Sequence, residues 1–303
     1  MPDALPHPGT QLRRLMDAAC VPIPGAFNGL VARAVRDAGF QAAYLSGGAT
    51  SAAAGVPDVG LLTLDRFAQA IREVVDGSRL PVLADADTGF GEAEMTRRTV
   101  ITYHRAGAAG LHIEDQVFPK RCGHLDGKAL VPTDHMTEKV AWARKASDDC
   151  SGGAFIICAR TDAAGVESVE AAIERAAAYV QAGADMIFPE GLRTEQDFAR
   201  VAEAVRTLRT HVGTRPYLLA NMTEFGKTPM LPVARFAELG YDAVIFPVTT
   251  LRIAMHAVTE ALKELHDTGT AEGLLDRMQT RQELYRLLEY TPSKPWEMPT
   301  TSY

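Results

Sequence analysis

Eight short apolar runs rich in β-branched residues recur along this chain, and segments with helical periodicity lie between them. The runs cover residues 21–24, 42–46, 81–87, 110–115, 154–161, 185–190, 217–222 and 243–248. The helical segments include residues 30–38, 64–75, 92–105, 169–182 and 195–208. Strands that alternate with helices predict a parallel α/β architecture, and eight such units predict a (β/α)8 TIM-type barrel. An open doubly wound sheet remains the alternative, although no Gly-x-Gly-x-x-Gly follows the first run.

The chain is predicted to form one domain with helices added after the barrel. We expect an N-terminal arm and first helix at 1–18, the barrel at 19–250, a C-terminal helical segment at 251–290 and a loose tail at 291–303. Within the C-terminal segment, apolar residues step by 4-3-4-3 at Leu251, Met255, Val258, Leu262 and Leu265, and a second helix is predicted at 271–288. Such a seam packs on an apolar surface, either a neighbouring subunit or the chain's own barrel.

Composition and charge exclude several classes of function. The formal charge of −7 argues against a nucleic-acid partner, because neutralising phosphates requires a basic face. No apolar run approaches the ~20 residues of a membrane span, and the first residues lack the pattern of a secretion signal. The four cysteines (Cys20, Cys122, Cys150 and Cys158) show no Cys-x-x-Cys spacing, which fits a reducing cytoplasm. We therefore expect a cytoplasmic protein that acts on small molecules.

Polar side chains occupy the last inward positions of five successive predicted strands. They are Asp85 and Asp87, His112 and Glu114, Arg160, Glu190, and Asn221 with Thr223. Inward residues at the carboxyl ends of barrel strands meet at one mouth, which is where such barrels carry their catalytic groups. One strand-end carboxylate is usually a cap or a turn former, but five polar positions in register predict a site.

Carboxylates that face one another raise each other's pKa or require a cation. Oxygen ligands suit Mg²⁺ or Mn²⁺, and we predict that Asp85 and Asp87 bind the ion directly while Glu114 lies in its outer shell. Arg160 offers a planar fork for a substrate carboxylate. His112 is interpreted as a residue of the barrel core and is left out of the site.

Two loops carry further candidate groups. Residues 46–51 read Ser-Gly-Gly-Ala-Thr-Ser, a glycine-rich loop whose backbone N–H groups suit an anion, although a tight turn explains it equally well. Residues 120–124 read Lys-Arg-Cys-Gly-His and place a thiol beside two cations and an imidazole. Because positive charge lowers the pKa of a thiol, Cys122 is either an acid/base catalyst or a nucleophile. A buried structural cysteine beside a surface histidine is the alternative.

Together these motifs resemble the isocitrate lyase/phosphoenolpyruvate mutase superfamily. The similarity runs from about residue 10 to residue 290 through Ser46-Gly47-Gly48, Val56-Pro57-Asp58, Asp85-Ala86-Asp87-Thr88-Gly89-Phe90-Gly91, Leu111-His112-Ile113-Glu114-Asp115-Gln116, the Lys120–His124 loop, Ala159-Arg160-Thr161-Asp162-Ala163, Phe188-Pro189-Glu190, Asn221-Met222-Thr223-Glu224-Phe225-Gly226 and Met278-Gln279-Thr280-Arg281. Within the superfamily, the pattern is most similar to that of the 2-methylisocitrate lyases, which lack the large insertions of true isocitrate lyases.

The resemblance implies a Mg²⁺-dependent lyase that cleaves 2-methylisocitrate to pyruvate and succinate. By the same resemblance, Asp85 and Asp87 hold the metal, and the substrate contacts are Ser46, Gly47, Gly48, Asp58, Gly123, Arg160, Glu190, Asn221, Thr223, Arg252 and Arg281. The implied catalytic residues are Cys122 as general acid, Lys120 and His124 beside it, and Tyr44 as a candidate base. The family is tetrameric, with its last barrel helix exchanged between subunits, and its methylisocitrate lyases serve propionate catabolism in the methylcitrate cycle.

Three alternatives remain open at this point. The substrate is isocitrate or another branched 2-hydroxy acid, such as 2,3-dimethylmalate; or the chain processes phosphonopyruvate or oxaloacetate; or it only binds metabolites. Residues 125–127, which read Leu-Asp-Gly, depart from the pattern of enterobacterial methylisocitrate lyases, and Phe188 stands where isocitrate lyases carry Trp. A single methyl group in an apolar pocket discriminates by only about 1–3 kcal/mol, so these positions constrain the substrate weakly.

Overall fold

The strands and helices alternate around one closed barrel. The computed structural model describes residues 6–121, 127–226 and 228–297. The strands are β1 (Val21–Pro24), β2 (Ala43–Leu45), β3 (Val82–Asp85), β4 (Gly110–Glu114), β5 (Ile156–Thr161), β6 (Met186–Pro189), β7 (Tyr217–Asn221) and β8 (Ala243–Phe246). All eight coincide with the predicted apolar runs, which confirms the predicted (β/α)8 architecture.

Every strand pairs in parallel with its neighbours, in the order β1-β8-β7-β6-β5-β4-β3-β2. The remaining seam, between β1 and β2, is joined by a parallel bridge from Gly25 to Tyr44 and by a hydrogen bond from the Ala26 amide to the Tyr44 carbonyl at 2.9 Å. A Cβ at position 25 would lie 2.2 Å from the Pro247 carbonyl oxygen, so only glycine permits this close approach. The barrel is therefore closed, and the open-sheet alternative is wrong.

The helices cover the outside of the barrel and extend past it. They are α1 (Pro8–Ala18), α2 (Gly29–Asp37), α3 (Gly47–Ala53), α4 (Leu64–Ser78), α5 (Ala93–Arg105), α6 (Thr133–Ser151), α7 (Ala163–Val166), α8 (Val169–Gln181), α9 (Glu195–Arg206), α10 (Val233–Leu239), α11 (Thr249–Thr268), the 3₁₀ helix η1 (Glu272–Arg277) and α12 (Arg281–Leu287). None of the helices within the described residues is both long and apolar enough to cross a membrane.

The apolar core has two layers, as the alternation of side chains along each strand requires. One layer lies between the strands and the surrounding helices, and includes Val82, Leu111 and Ile157. The other fills the barrel interior. Leu12 and Met16 of α1 join this interior layer and close the end of the barrel at which the strands begin. The opposite end, where the strands finish, is left for polar groups.

Two local predictions are wrong. The predicted loop 46–51 is largely helical, because Ser46 caps α3 by accepting a hydrogen bond from the Ala49 amide. The predicted helix 271–288 is broken between η1 and α12. Thr280 and Glu283 form a reciprocal capping box at this break, which starts a new helix.

The helix α11 buries none of its residues against the rest of the described chain. Its predicted apolar seam is real but exposed, with Leu262 at 60% and Met255 at 51% of full accessibility. Packing of this seam across the chain's own barrel, the second of the two predicted possibilities, is therefore not what the structure shows.

Candidate active site

A polar cavity opens at the carboxyl ends of the strands. It is lined by Tyr44, Ser46, Gly48, Asp58, Asp85, Lys120, Arg121, Arg160, Phe188, Glu190, Asn221, Thr223, Ile245, Pro247 and Val248. Most of these residues were predicted from sequence, and they are neighbours in space although they come from strands and loops all around the barrel. The short strands explain this convergence, because each ends at the same level of the mouth.

Asp85 and Asp87 form a buried carboxylate pair at the end of β3. Asp85 Oδ2 accepts the Gly47 amide at 2.9 Å, and Asp85 Oδ1 accepts the Asp87 amide at 3.0 Å. Asp87 has a left-handed backbone (φ 46°), an unusual conformation outside glycine. A Cβ at position 47 would lie 2.7 Å from Asp85 Oδ2 and 3.1 Å from Asp87 Oδ1. Both carboxylates thus point to the space that Gly47 leaves open.

This donor set fits Mg²⁺. The ion typically binds one or two carboxylates in proteins and keeps several waters. Asp85 and Asp87 provide two carboxylates, and no cluster of three or more His, Cys, Asp or Glu ligands exists among the described residues. Glu114 is buried nearby, and its Oε1 atom has no hydrogen-bond partner in the part of the chain that the structure describes. Such an oxygen suits a water of the outer shell.

Lys120 balances this negative charge. Its ammonium lies 2.8 Å from Asp87 Oδ1 and also pairs with Asp58, and its side chain is only 3% exposed. Burial alone would lower the pKa of Lys120, but the surrounding carboxylates, Glu114 and Asp87 first, raise it far above its usual value. Lys120 is therefore a permanent cation. The position of Lys120 in the loop is explained by these contacts, because its ammonium neutralises Asp58 and Asp87 together.

The two metal-site carboxylates differ in acidity. Burial and the neighbouring Asp85 raise the pKa of Asp87 to about 6. Burial also acts to raise the pKa of Asp85, but His112, Lys120 and Arg160 outweigh it and the pKa is lowered. A divalent cation between them would favour the ionised form of both.

Arg160 is the buried cation on the other side of the cavity. Its Nη1 atom lies 3.3 Å from Glu114 Oε2 and 3.7 Å from Glu190 Oε2. The guanidinium carbon lies 5.2 Å from the centre of the Phe188 ring. The carboxylates of Asp162, Glu114 and Glu190 raise the pKa of Arg160 further, against the opposing effect of burial. The predicted substrate arginine therefore remains charged within a buried network.

Glu190 and Asn221 complete the wall contributed by β6 and β7. Asn221 Nδ2 donates to Glu190 Oε2 at 3.0 Å, and Glu190 Oε1 accepts the Gly191 amide at 3.1 Å. The Oδ1 atom of Asn221 is buried and finds no hydrogen-bond partner among the described residues. This oxygen can accept a hydrogen bond from a substrate.

His112, interpreted from sequence as a residue of the barrel core, is fully buried and does not line the cavity, but it contacts two residues that do. Its Nε2 atom lies 2.7 Å from the Tyr44 hydroxyl and 3.7 Å from Asp85 Oδ1. Burial lowers the pKa of His112 to about 4, so the ring is neutral at pH 7. Burial raises the pKa of Tyr44 well above 10, which opposes a free phenolate. The Tyr44 hydroxyl therefore shares a buried hydrogen bond with a neutral imidazole. The only sequence signal that His112 lies close to the site was its i, i+2 spacing with Glu114.

Several predicted residues lie away from the cavity or outside the description. Cys122, Gly123 and His124 fall outside the described residues. Arg252 lies on α11, with Nε 3.5 Å from Glu224 Oε2 and its guanidinium over Phe225, and it is about half exposed. Arg281 is exposed at the start of α12. Neither arginine is among the cavity residues of this single chain.

Comparisons with known proteins identify relatives of this chain. A family model described as phosphoenolpyruvate phosphomutase matches residues 12–266. The chain is 53% identical over 268 residues to the probable 2-methylisocitrate lyase 1 of Corynebacterium glutamicum, covering 88% of this chain and 84% of that protein. It is 46% identical over 289 residues to the 2-methylisocitrate lyase of Aeropyrum pernix, covering 95% and 89%. The crystal structure of a 2,3-dimethylmalate lyase superposes with a TM-score of 0.85 at 36% identity, covering 93% and 92%.

Proposed function

Since the chain belongs to the phosphoenolpyruvate phosphomutase family, we propose that it is a Mg²⁺-dependent carbon–carbon lyase that cleaves 2-methylisocitrate to pyruvate and succinate. The observation that carries the proposal is the buried pair Asp85 and Asp87 at the barrel mouth, with Asp85 lining the same cavity as the buried cation Arg160. A metal carboxylate pair and a fixed guanidinium suit a 2-hydroxy acid that bears further carboxylates. The step belongs to propionate breakdown through the methylcitrate cycle.

Asp85 and Asp87 would hold the metal. When bound, Mg²⁺ supplies Lewis-acid stabilisation of the negative charge that develops on the substrate hydroxyl oxygen as this oxygen becomes the carbonyl of pyruvate. Ser46, Gly47 and Gly48 position the pyruvate half beside the pair. The carboxylates of the substrate are oriented by Arg160, Asn221 and Thr223. Glu190 and Asp58 act indirectly, through the residues that they bind.

The proton of the substrate hydroxyl must leave as the carbon–carbon bond breaks. Tyr44 accepts this proton while its own proton moves to His112, whose Nε2 atom lies 2.7 Å away. The bonding electrons remain on the succinate half, where a carboxylate stabilises the carbanion. Cys122 donates a proton to that carbon and becomes a thiolate, with Lys120 and His124 beside it. Proton exchange with solvent then returns His112 to its neutral form and Cys122 to its thiol.

Apolar residues line one side of the cavity and provide room for the methyl group. Phe188 is fully buried, and Ile245 and Pro247 face the same space. The preference for 2-methylisocitrate over isocitrate rests on this wall. This preference corresponds to about 1–3 kcal/mol, or about 10- to 200-fold in rate.

The chain is proposed to assemble as a homotetramer in which α11 packs on a neighbouring subunit. The exposed apolar residues Met255, Val258, Leu262 and Leu265 support this assembly, because an exposed apolar stripe of this kind marks an interaction surface. Arg252 and Arg281 lie in this C-terminal segment, so contacts between subunits are the route by which they would reach a substrate.

An assay of 2-oxo acid release tests the function. Purified protein is given 2-methylisocitrate, isocitrate, 2,3-dimethylmalate, oxaloacetate and phosphonopyruvate, each with Mg²⁺ and with excess EDTA. We expect the highest kcat/KM for 2-methylisocitrate, with turnover lost in EDTA and restored by Mg²⁺. Asp85→Asn should lose this activity, whereas Asp276→Asn, an exposed position on η1, should retain it. Faster cleavage of isocitrate or dimethylmalate would assign the other lyase activity.

A further inference from the structure

The turn at the end of β3 carries both proposed metal ligands, and its backbone is hydrogen-bonded at every carbonyl. Residues 85–89 read Asp-Ala-Asp-Thr-Gly. The Ala86 carbonyl accepts the Gly89 amide at 2.7 Å. The Asp87 carbonyl accepts the Glu114 amide at 2.9 Å. The other three carbonyls of the turn accept hydrogen bonds from side chains of the surrounding helices. The turn is therefore held from outside the barrel as well as from within it.

Helix α5 contributes two of these side chains, and both are fully buried. The Tyr103 hydroxyl donates to the Asp85 carbonyl at 2.8 Å. The Thr99 hydroxyl lies 3.1 Å from the Gly89 carbonyl and 2.9 Å from the Met95 carbonyl of its own helix. Residues four apart lie on the same face of a helix. This face of α5 therefore contacts the first and the last carbonyl of the turn.

Helix α6 contributes the third side chain, Lys139. Its ammonium donates to the Thr88 carbonyl, and the residue is only 5% exposed. Thr88 follows Asp87 directly, so the lysine binds the peptide group next to a proposed metal ligand. Burial lowers the pKa of Lys139, and the carboxylates of Glu92 and Glu114 oppose this effect only in part. The desolvation of the ammonium is thus not fully offset by nearby carboxylates, and its specific contact is with the turn.

The backbone of this turn requires such support. Asp87 and Phe90 have left-handed backbones, with φ of 46° and 61°, a conformation that residues other than glycine rarely adopt. Such conformations persist only where the surrounding structure holds them in place, and they cluster at functional sites. Relaxation of Asp87 to a commoner conformation would turn its carboxylate relative to that of Asp85. The hydrogen bonds to the turn therefore bear directly on the arrangement of the two carboxylates.

We propose that Tyr103 and Lys139 are positioning residues for the metal ion, which hold the turn so that the carboxylates of Asp85 and Asp87 stay arranged to bind one divalent cation. The proposal rests on the metal-dependent lyase function proposed above and adds two residues to it. Within the described chain, neither residue lines the cavity at the barrel mouth, so both act through the backbone of the turn. Groups that orient metal ligands in this way contribute about 10- to 100-fold to metal affinity.

Binding of Mn²⁺ to the purified protein tests this role without any turnover. Free Mn²⁺ is followed by electron paramagnetic resonance during a titration, with no substrate present. Tyr103→Phe removes only the hydroxyl, and Lys139→Met removes the ammonium while keeping the length of the side chain. We expect the Kd for Mn²⁺ to rise by about 10- to 100-fold in each variant.

Two control variants change the same residue types away from the turn. Tyr241 is also buried, and its hydroxyl donates to a backbone carbonyl, that of Phe198, at 3.3 Å. Lys145 is exposed on α6. Tyr241→Phe and Lys145→Met should both bind Mn²⁺ as tightly as the wild type, because neither contacts the turn.

A Kd within about threefold of wild type in either Tyr103→Phe or Lys139→Met would overturn the proposal, and so would an equal rise in Tyr241→Phe. Thermal unfolding is measured for each variant, and Kd is compared below the unfolding transition, where lowered stability alone does not change it. Thr99→Val replaces a variant that does not fold, and Thr99→Ser, which keeps the hydroxyl, should retain the affinity.

Failure of the positioning role differs from failure of the function on which it rests. If the wild type does not bind Mn²⁺, the metal site and the positioning role are both wrong. If the wild type binds Mn²⁺ but cleaves none of the substrates, the lyase function alone is wrong, and the comparison of Kd values still decides the positioning role. Equal Kd values in the wild type and in the variants refute only the positioning role.

Discussion

Replacing Tyr44 by phenylalanine removes one oxygen from the centre of the proposed proton path. The Tyr44 side chain is 2% exposed, and its hydroxyl lies 2.7 Å from His112 Nε2. The other ring nitrogen of His112, Nδ1, is buried with no hydrogen-bond partner among the described residues. The substitution therefore leaves a neutral imidazole with no hydrogen-bonding protein partner that the structure describes, and leaves the substrate hydroxyl without its proton acceptor.

The loss of the proton acceptor lowers the rate, and the unpaired imidazole lowers the stability. Removing a positioned acid/base group costs about 10²- to 10⁴-fold in kcat, which corresponds to about 2.7–5.4 kcal/mol at 1.36 kcal/mol per factor of ten. Leaving a buried polar group unsatisfied costs a further ~1–3 kcal/mol of folding free energy. We expect the rate effect to appear in kcat and not in KM, because the phenyl ring of the Tyr44→Phe variant retains the packing against the ring of His112.

The matched control is Tyr241→Phe. Tyr241 is similarly buried, and its hydroxyl donates to the Phe198 carbonyl at 3.3 Å in the outer layer of the core. Its loss should cost about 1 kcal/mol of stability and leave kcat unchanged. Steady-state kinetics of 2-oxo acid release and thermal unfolding are measured for both variants.

A double-mutant cycle then separates a shared path from two independent effects. If Tyr44 and His112 pass one proton, Tyr44→Phe, His112→Gln and the double variant should all have about the same residual kcat. Losses that multiply in the double variant would show that the two residues act separately. A kcat of Tyr44→Phe within threefold of wild type would refute the proton path altogether.

Two further predictions concern Cys122 and the pH dependence of stability. Cys122→Ser should abolish turnover while pyruvate binding, measured by calorimetry with Mg²⁺, stays nearly intact; a near wild-type rate would contradict the assigned role. Burial and the neighbouring His104 lower the pKa of His7 to about 4, and its Nδ1 atom accepts the Gly9 amide at 3.0 Å. Because the pKa of His7 in the folded protein lies below the usual 6.5, the neutral imidazole stabilises the folded state fully above pH 6.5. This stabilisation is lost as the pH falls toward 4. For a half-exposed group it amounts to about 1–2 kcal/mol, and thermal unfolding of His7→Asn, which keeps a capping acceptor, should show a weaker dependence over that range.

The fold was predictable because its signals are local. Each strand ends in a turn within the sequence window that carries its apolar pattern, so all eight were located to within a few residues. The polar positions at the strand ends follow from the same period of two. This period and the general rule that barrel strands end at one mouth were enough to predict the positions of Asp85, Arg160 and Glu190.

The errors come from information that lies outside such a window. Gly47 and Gly48 favour a loop by their own preferences, but the cap at Ser46 starts a helix there. The break before α12 depends on a capping box hidden within a run that otherwise has helical composition. The contact of His112 with the site runs through Tyr44, which is 68 positions away in the chain, so no sequence window could show it.

The buried charges constrain the chemistry of the proposed site more tightly than the apolar wall constrains the methyl group of the substrate. The reason is energetic. Each buried charge at the mouth costs several kcal/mol to desolvate, and a barrel filled with apolar residues would be at least as stable. Folding stability alone therefore does not account for the burial of Asp85, Asp87, Lys120, Glu114 and Arg160, which supports the proposed binding of a charged ligand. The apolar wall around Phe188 carries no such cost. Its shape changes the free energy by only about 1–3 kcal/mol per methyl group, a difference that small shifts in packing can absorb.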